Sequence, residues 1–252
     1  PPASLTLSDE MIEYSDGTVI TRLNIVVGAS PDRFVEGYEV QLKQTLDANG
    51  NNIHFDNSTG IADANNNAAL EFQATASAVN ELTVTNAATG NAPDLSATGS
   101  DTNIDLGLTP KGLGLVTFEG GGKVQHLAEK ATISATAATG TINYDVTTQA
   151  VLYYTSNASA NWTLNIRGDG SNSLNNLMDT GESITVAHLV TNGTTAYYNS
   201  AVQVDGSAVT PEWQGGSAPD AGNASSVDVY TYTVFKTADA TFTVFAAQTQ
   251  FA

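Results

Sequence analysis

Residues 80–118 read NELTVTNAATGNAPDLSATGSDTNIDLGLTPKGLGLVTF, and the organisation of the chain is inferred from this stretch. Apolar–polar alternations at Leu82–Val84, Ile104–Leu108 and Leu115–Phe118 are separated by Gly, Asn, Asp and Pro, a pattern typical of short strands joined by tight turns. Phe118 is its only aromatic residue, so one copy of the stretch buries little apolar surface. The pattern predicts a thin β shaft that becomes stable by packing against copies of itself.

The same pattern begins upstream, and we predict that the shaft spans residues 45–122. Short strands at Asn52–Asp56 and Ala69–Gln73 each carry two large apolar residues, and an isolated strand pair of this kind is marginal in water. Gly120-Gly121-Gly122 is a hinge signal that ends the shaft.

Composition limits the partners of the chain. Eight Lys and Arg residues stand against 26 Asp and Glu residues, for a net charge of −18, so we expect no nucleic acid partner. The chain has no cysteine and therefore neither disulfides nor thiolate metal sites. It has no long apolar run either, so we expect no membrane insertion.

Residues 123–252 form the part that is richest in aromatic residues, with seven of the nine Tyr and both Trp. Turn residues separate the predicted strands, which are Gly140–Val146, Gln149–Thr155, Asn161–Arg167, Ser183–Asn192, Thr195–Tyr198, Val227–Lys236 and Ala240–Gln248. A helical turn is predicted at Leu174–Met178, and Asn192-Gly193-Thr194 is a hairpin signal. The spacing predicts an antiparallel β-sandwich or jelly-roll-like head.

One predicted strand of this head, Val227–Lys236, is apolar on both faces. The two sets are Val227, Val229 and Phe235 on one face, and Tyr230, Tyr232 and Val234 on the other. We predict that one face lies in the core and that the other makes a contact between subunits.

Aromatic side chains of the head are the candidate binding residues. Sugars stack on aromatic rings while nearby Asn, Asp and Gln side chains hydrogen-bond the hydroxyls, although packing in the core or at an interface is the alternative for each ring. The candidates are Trp213, Trp162, Tyr197, Tyr198, Tyr153 and Tyr154. Trp213 is the first choice because its Gly- and Pro-rich loop is of the kind that carries recognition.

Metal and catalytic patterns are weak. Two histidines, His54 and His126, could bind a metal on a fibre axis, but no motif supports it, and we expect neither a cofactor nor a metal. Three acids, Asp94, Asp101 and Asp105, lie among turn residues, where caps are the ordinary role of Asp. A glycan-cleaving site with two carboxylates is therefore the minor alternative, and we expect no enzyme.

The first 44 residues resemble the opening strands of a fibronectin type III module of siphophage tail-tip proteins. The matching pieces are PPASLTLSDE, DGTVITRLNIVV and SPDRFVEGYEVQ. Val27 stands where that family usually has a Trp, and the segment ends far short of the roughly 90 residues and seven strands of a full module. The resemblance implies a partial fibronectin III-like attachment segment at residues 1–44.

The remainder of the chain resembles tail-fibre-like structural proteins of marine phages. The shaft matches through VNELTVTNAATGNAPDLSATGSDTNIDLGLTPKGLGLV, and the head through LVTNGTTAYYN, VDGSAVTPEWQGG and SSVDVYTYTVFKTADATFTVFAAQTQFA. The resemblance implies an all-β homotrimeric fibre of the virion. It would bind other phage tail proteins at its N-terminal end, and its head would bind a bacterial surface polysaccharide or outer-membrane protein. A virion decoration or head fibre that binds no receptor is the alternative, and a glycan-cleaving tailspike is the third.

Overall fold

A computed structural model describes residues 59–65 and 67–251, and the fold is all-β. The fibronectin-like segment 1–44, the predicted strand Asn52–Asp56 and His54 lie outside the described residues. The chain divides into two compact units, Pro1–Asp105 and Leu106–Ala252. This boundary falls inside the predicted shaft, and the division into segments 1–44, 45–122 and 123–252 stays a prediction. Within the described part, no helix has the length and hydrophobicity needed to cross a bilayer.

The described part of the first unit consists of two antiparallel hairpins. Strand β1 (Thr59–Ala62) pairs with β2 (Ala68–Phe72), and β3 (Asn80–Thr85) pairs with β4 (Asp94–Gly99). Asp63 closes the first turn by accepting hydrogen bonds from the backbone N–H groups of two residues, Asn65 and Asn67, each at 2.9 Å. The predicted strand at Ala69–Gln73 is thus confirmed as β2, and Leu82–Val84 as part of β3.

These hairpins leave their large apolar side chains in solvent. The exposed fractions are 53% for Ile61, 52% for Leu70, 59% for Leu82, 75% for Val84 and 47% for Leu95. Neither hairpin therefore has an apolar core of its own within the described residues.

Residues 102–130 contain turns and bends but no strand. The strands expected at Ile104–Leu108 and Leu115–Phe118 were therefore wrong for the single chain. A strand needs a neighbour to hydrogen-bond its backbone, and alternation alone supplies no such partner. The large apolar side chains of this segment, such as Leu115 at 66% and Phe118 at 75%, are exposed.

The second unit contains ten strands in two sheets. The strands are β5 (Ala131–Ala137), β6 (Gly140–Asp145), β7 (Val151–Ser156), β8 (Trp162–Arg167), β9 (Ser183–Thr191), β10 (Asn199–Val204), β11 (Ser207–Val209), β12 (Glu212–Trp213), β13 (Val227–Ala238) and β14 (Thr241–Phe251). One sheet has the order β11-β10-β8-β6, and the other has the order β12-β14-β13-β9-β7-β5. We call them the four-stranded and the six-stranded sheet.

Strands β5 to β10 wind as a two-sided coil. Successive strands alternate between the two sheets, and each strand from β5 to β8 pairs in parallel with the strand two places later. Three coils result, formed by β5 and β6, by β7 and β8, and by β9 and β10. Equivalent side chains stack from coil to coil, as where Asn165 Nδ2 donates to Asn143 Oδ1 at 2.9 Å across 22 residues of chain. The arrangement is a short β-solenoid.

Antiparallel strands cover the last coil. The two-residue turn Asp205-Gly206, with φ of 49° and 79°, returns the chain from β10 into β11. Strand β13 pairs antiparallel with β9, and the long β13–β14 hairpin extends that sheet, with β12 parallel to β14 at its edge. The strand predictions at Val227–Lys236 and Ala240–Gln248 are thus confirmed.

The core lies between the two sheets. Trp162 of the four-stranded sheet makes edge-on contacts with His188 at 5.8 Å and Tyr230 at 5.6 Å, both from the six-stranded sheet. The buried aliphatic residues of the same cluster include Leu164, Ile166 and other Val and Leu side chains from both sheets. The unit is therefore a β-sandwich in its layering.

The sandwich is mixed, which corrects the predicted antiparallel or jelly-roll-like head. Five of its strand pairs are parallel and three are antiparallel. Turn residues mark where a strand stops, but they do not decide whether the next strand joins the same sheet or crosses to the other. The chain crosses at each turn from β5 to β10.

The segment Asn192-Gly193-Thr194 is an example of such a crossing. It was predicted to form a hairpin, but it connects β9 of the six-stranded sheet to β10 of the four-stranded sheet. Asn192 is buried, its Nδ2 donates to the carbonyl of Tyr197, and its Oδ1 accepts from the N–H of Tyr197, each at 3.0 Å. These bonds fold the segment into an arch. The strand expected at Thr195–Tyr198 was wrong, and β10 begins at Asn199.

The other local predictions for this unit agree with the structure. The helical turn α1 spans Leu174–Leu177, where Ser173 Oγ accepts from Asn176 N at 3.1 Å as an N-cap. The strands predicted at Gly140–Val146, Gln149–Thr155, Asn161–Arg167 and Ser183–Asn192 correspond to β6, β7, β8 and β9 within two residues at each end.

Candidate binding surface

The six candidate aromatic residues do not form one site. Trp162 is 1% exposed and lies between the sheets, so its assignment as a binding residue is wrong: no ligand can stack on a ring that the core encloses. Tyr154 also faces the core and contacts His188 edge-on at 5.5 Å, with its pKa raised by burial. Tyr153, its neighbour, pairs in register with Leu189 on the outer face of the six-stranded sheet.

Tyr197 and Tyr198 lie in the arch before β10. Tyr197 packs against the core cluster, and its backbone is held by Asn192. Tyr198 is half-buried; its N–H donates to Asn161 Oδ1 at 3.1 Å and its carbonyl accepts from Trp162 N at 3.3 Å. These two residues are held as parts of the arch.

Trp213 lies at the edge of the six-stranded sheet. Its strand β12 runs parallel to β14, with Glu212 opposite Phe245 and Trp213 opposite the buried Ala246. The indole is half-buried, belongs to the rim of the core and meets Tyr232 edge-on at 6.1 Å. Trp213 therefore closes one side of the core and also borders the surface beside it.

That surface is a shallow groove of about 440 Å³ on the outer face of the sheet. It lies where the short strand β12 meets the wider surface of β13 and β14. Its lining residues are Glu212, Trp213, Gln214, Thr231, Thr233, Phe245, Ala246 and Ala247. We call it the Trp213 groove.

The groove combines one apolar platform with several hydrogen-bonding groups. The Phe245 ring is 50% exposed and is held edge-on by Phe235 at 5.8 Å. Around it lie a carboxylate, an amide and two hydroxyls, from Glu212, Gln214 and the two threonines. A ring beside polar groups suits a ligand with an apolar face and a hydroxyl-bearing edge, such as a sugar.

Sequence reasoning found Trp213 and missed Phe245, Glu212 and Gln214. The signal for Phe245 was present, because β14 places it between Val244 and Ala246, which are both buried, and strand alternation then directs its ring outward. The length of β12 carried no comparable signal, since two residues are too few to show a period.

A second, polar crevice lies at the end of the four-stranded sheet, where the sequence faintly resembles a calcium loop. Asp169 Oδ1 accepts from the N–H of Ser171 at 2.7 Å and of Asn172 at 2.8 Å. Hydrogen bonds from Asn172 and from the Ser171 backbone lower the pKa of the Asp169 carboxyl. This carboxylate shapes its own turn, and we assign no metal to it.

Two ionisable groups are buried in the second unit. His188 is fully buried among aromatic rings, and burial lowers its pKa to about 3. Asp228 is fully buried too, and burial raises its pKa, although its Oδ2 accepts from Asn192 Nδ2 at 3.1 Å and from Asn223 N at 3.0 Å. Both groups are enclosed by packing and open onto no groove described above.

The three acids considered for glycan cleavage are exposed. Asp101 Oδ2 accepts from Asn80 Nδ2 at 2.8 Å, which ties the ends of the β3–β4 hairpin, and Asp94 begins β4. Among residues 59–65 and 67–251, no group of three or more His, Asp and Glu side chains is placed to hold a metal ion.

Comparison with protein-family models, with curated proteins and with solved structures gave no match.

Proposed function

We propose that this protein is a homotrimeric fibre component of a phage virion that attaches to the host cell through its C-terminal unit. In this proposal residues 45–122 are the shaft, and the fibronectin III-like residues 1–44 bind other tail proteins. The Trp213 groove binds a bacterial surface polysaccharide, with an outer-membrane protein as the other receptor class. The proposal assigns no cofactor and no catalytic residue.

The observation that carries the proposal is the exposure of apolar side chains in the two hairpins. Leu82 and Val84 of β3 are 59% and 75% exposed, and Ile61 and Leu70 of the first hairpin are more than half exposed. Such side chains contribute about 25 cal/mol per Å² when they are buried, and neighbouring copies supply the missing cover. Closed cyclic symmetry is the usual way in which identical chains achieve this.

The mass of the full chain in solution tests the fibre part of the proposal. We expect multi-angle light scattering to give three times the 26.1 kDa of one chain. A well-folded monomer at micromolar concentration contradicts the proposal, because its hairpins would then be stable with their apolar side chains in water.

Binding of the full chain to host cells and to purified surface polysaccharide tests the adhesive part. We expect Phe245→Ala to weaken polysaccharide binding by about tenfold, because loss of one stacking platform removes roughly 1–2 kcal/mol. Phe251→Ala is the matched control: it removes an equally exposed phenylalanine, 54% against 50%, on the same face of β14 but outside the groove.

Three results distinguish the proposed receptor binder from its alternatives. Binding that is lost in Phe245→Ala and kept in Phe251→Ala supports it. A trimer that binds neither cells nor polysaccharide is a virion decoration or head fibre. Release of reducing sugar from the polysaccharide identifies a glycan-cleaving tailspike.

A further inference from the structure

The outer face of the six-stranded sheet carries no charged residue on five of its six strands. The outward positions of β5, β7, β9, β13 and β14 hold only Ala, Val, Ile, Leu, Phe, Tyr, Ser and Thr. Charge enters this face only at its edge, with Glu212 of β12. In a chain of net charge −18, a charge-free face across five strands is a distinct surface.

Large side chains lie on both halves of this face: Phe235, Phe245 and Phe251 on β13 and β14, and a second group on the strands farther from the Trp213 groove. The register places Ile133, Tyr153, Leu189 and Val229 side by side across four strands, with Val151 in the adjacent row. Ile133 is 71% exposed, and the other four residues are half-buried. We call these five residues the β7–β9 patch.

The opposite face of the sandwich has a different character. The four-stranded sheet directs Asn143, Asn165 and Gln203 outward as a ladder, and beside them Arg167 Nε donates to Asp145 Oδ1 at 2.6 Å. Such a surface satisfies its own polar groups and is suited to water. The contrast distinguishes the uncharged face of the six-stranded sheet from a surface that is suited to water.

We infer that the β7–β9 patch is the contact between copies of this chain in the C-terminal unit. Two copies repel each other, since each carries −18, and the repulsion is least where the facing surfaces have no charge. A partner with a basic surface would bind the acidic parts of this chain instead, because an uncharged patch offers it no electrostatic attraction. The inference rests on the homo-oligomer of the proposed function. It assigns to the patch the subunit contact that the sequence predicts for one face of Val227–Lys236, the face that carries Val229.

Cysteine protection in the full chain tests the inference, because the natural sequence contains no cysteine. Ile133→Cys places one thiol in the patch, and Ala201→Cys places one at an exposed position on the outer face of β10. We expect a bulky polyethylene-glycol maleimide to label the Ile133→Cys assembly at least about tenfold more slowly than the Ala201→Cys assembly, since a covered thiol reacts only when the contact opens. Both variants should react alike after denaturation.

A charge variant provides a second measurement. Leu189→Asp places a carboxylate in the middle of the patch, and Thr163→Asp places one at the matching outward position of β8. We expect the first to lower the mass measured at a fixed concentration, or to separate the C-terminal units so that a thiol at position 133 becomes reactive, and the second to change neither. Circular dichroism of both variants reports whether the strands persist.

The possible results separate this inference from the proposed function. An oligomer in which Ile133→Cys and Ala201→Cys react equally fast overturns the inference and leaves the proposed trimer standing. A monomeric full chain overturns both. Protection at position 133 that Leu189→Asp removes and Thr163→Asp retains supports the patch as the contact.

Discussion

At the scale of single residues, the most consequential group is His188. It is fully buried beside Trp162, Tyr154 and Tyr230, and neither ring nitrogen has a hydrogen-bond partner within residues 59–65 and 67–251. A neutral imidazole is tolerated there as an aromatic ring. A charged imidazolium is not, because no hydrogen-bond partner in the described part of the chain offsets its desolvation.

Acid should therefore destabilise the second unit through His188. Its pKa is about 3 when folded and 6.5 by reference when unfolded, so between these values the unfolded chain binds more protons, and stability falls as the pH falls. The slope from this residue approaches about 1.4 kcal/mol per pH unit within the window and vanishes above it. Urea unfolding followed by tryptophan fluorescence from pH 7 to pH 4 measures it.

His188→Leu should flatten that dependence, whereas His126→Leu, which replaces an exposed histidine, should keep it. Asp228 has the opposite effect on stability. Burial raises its pKa, so the folded chain binds more protons than the unfolded chain, and its contribution to stability increases as the pH falls. The difference between the His188 variant and the natural chain isolates the histidine. Identical slopes for all three proteins would contradict the assignment.

Gly222 is the second residue whose substitution should have a large effect on stability. A Cβ at this position would lie 2.2 Å from the carbonyl oxygen of Tyr197 and 2.8 Å from Asp228 Oδ2, so Gly222→Ala should lower the free energy of unfolding by at least about 2 kcal/mol. Gly170→Ala is the control: its Cβ would meet only the Arg167 side chain at 3.9 Å, and its effect should stay within about 0.5 kcal/mol. Denaturant midpoints of both variants decide the matter.

At the scale of elements, the sequence locates the strands well and their partners poorly. Asp205-Gly206 and Asn192-Gly193 are similar turn signals, yet the first forms a hairpin and the second an arch between sheets. The deciding factor is the buried side chain of Asn192, whose burial depends on strands distant in sequence. Local turn chemistry therefore could not predict the solenoid.

The same limit applies to the binding surface. Alternation predicted that Val227–Lys236 has two apolar faces, and the structure places Tyr230 and Tyr232 in the core with Val229 outside. Residue type gave no such direction for Trp162, because an indole serves equally well in a core and in a sugar site. Burial, which depends on the facing sheet, decided it.

The ladder between coils gives a test at this scale. Asn165 is 7% exposed, donates to Asn143 Oδ1 at 2.9 Å and accepts from Gly206 N at 2.8 Å. Asn165→Leu leaves a backbone N–H unpaired and should lower the free energy of unfolding by about 1–3 kcal/mol. Asn143→Ala removes an exposed member of the ladder and should cost less than about 1 kcal/mol. Equal losses in thermal or urea unfolding would contradict the expectation, because they would show that the unpaired Gly206 N–H adds nothing to the cost of Asn165→Leu.

At the scale of the whole molecule, the net charge of the chain opposes the proposed assembly. Each chain carries −18, and association brings these charges within range of one another. Salt shortens that range from about 30 Å at 0.01 M to about 3 Å at 1 M. The apolar contacts proposed for the shaft and the β7–β9 patch are not weakened by the same change.

The assembly should therefore become tighter as salt is added. Sedimentation velocity of the full chain at several concentrations, in about 0.01 M and about 0.5 M sodium chloride, measures the effect. We expect the concentration at which the oligomer dissociates to be lower in the higher salt. Dissociation promoted by salt would indicate contacts made by ion pairs and would contradict an uncharged interface.

The coil of β5 to β10 has a consequence for how such a chain can change over generations. Neighbouring coils are joined by parallel strand pairs, and the step from the first coil to the second takes 20 residues in the six-stranded sheet (Ile133 to Tyr153) and 22 in the four-stranded sheet (Asn143 to Asn165). Duplicating a segment of this length would add a layer that repeats the same two parallel strand pairs. A single tandem duplication can therefore change the length of the C-terminal unit along the axis on which its coils stack.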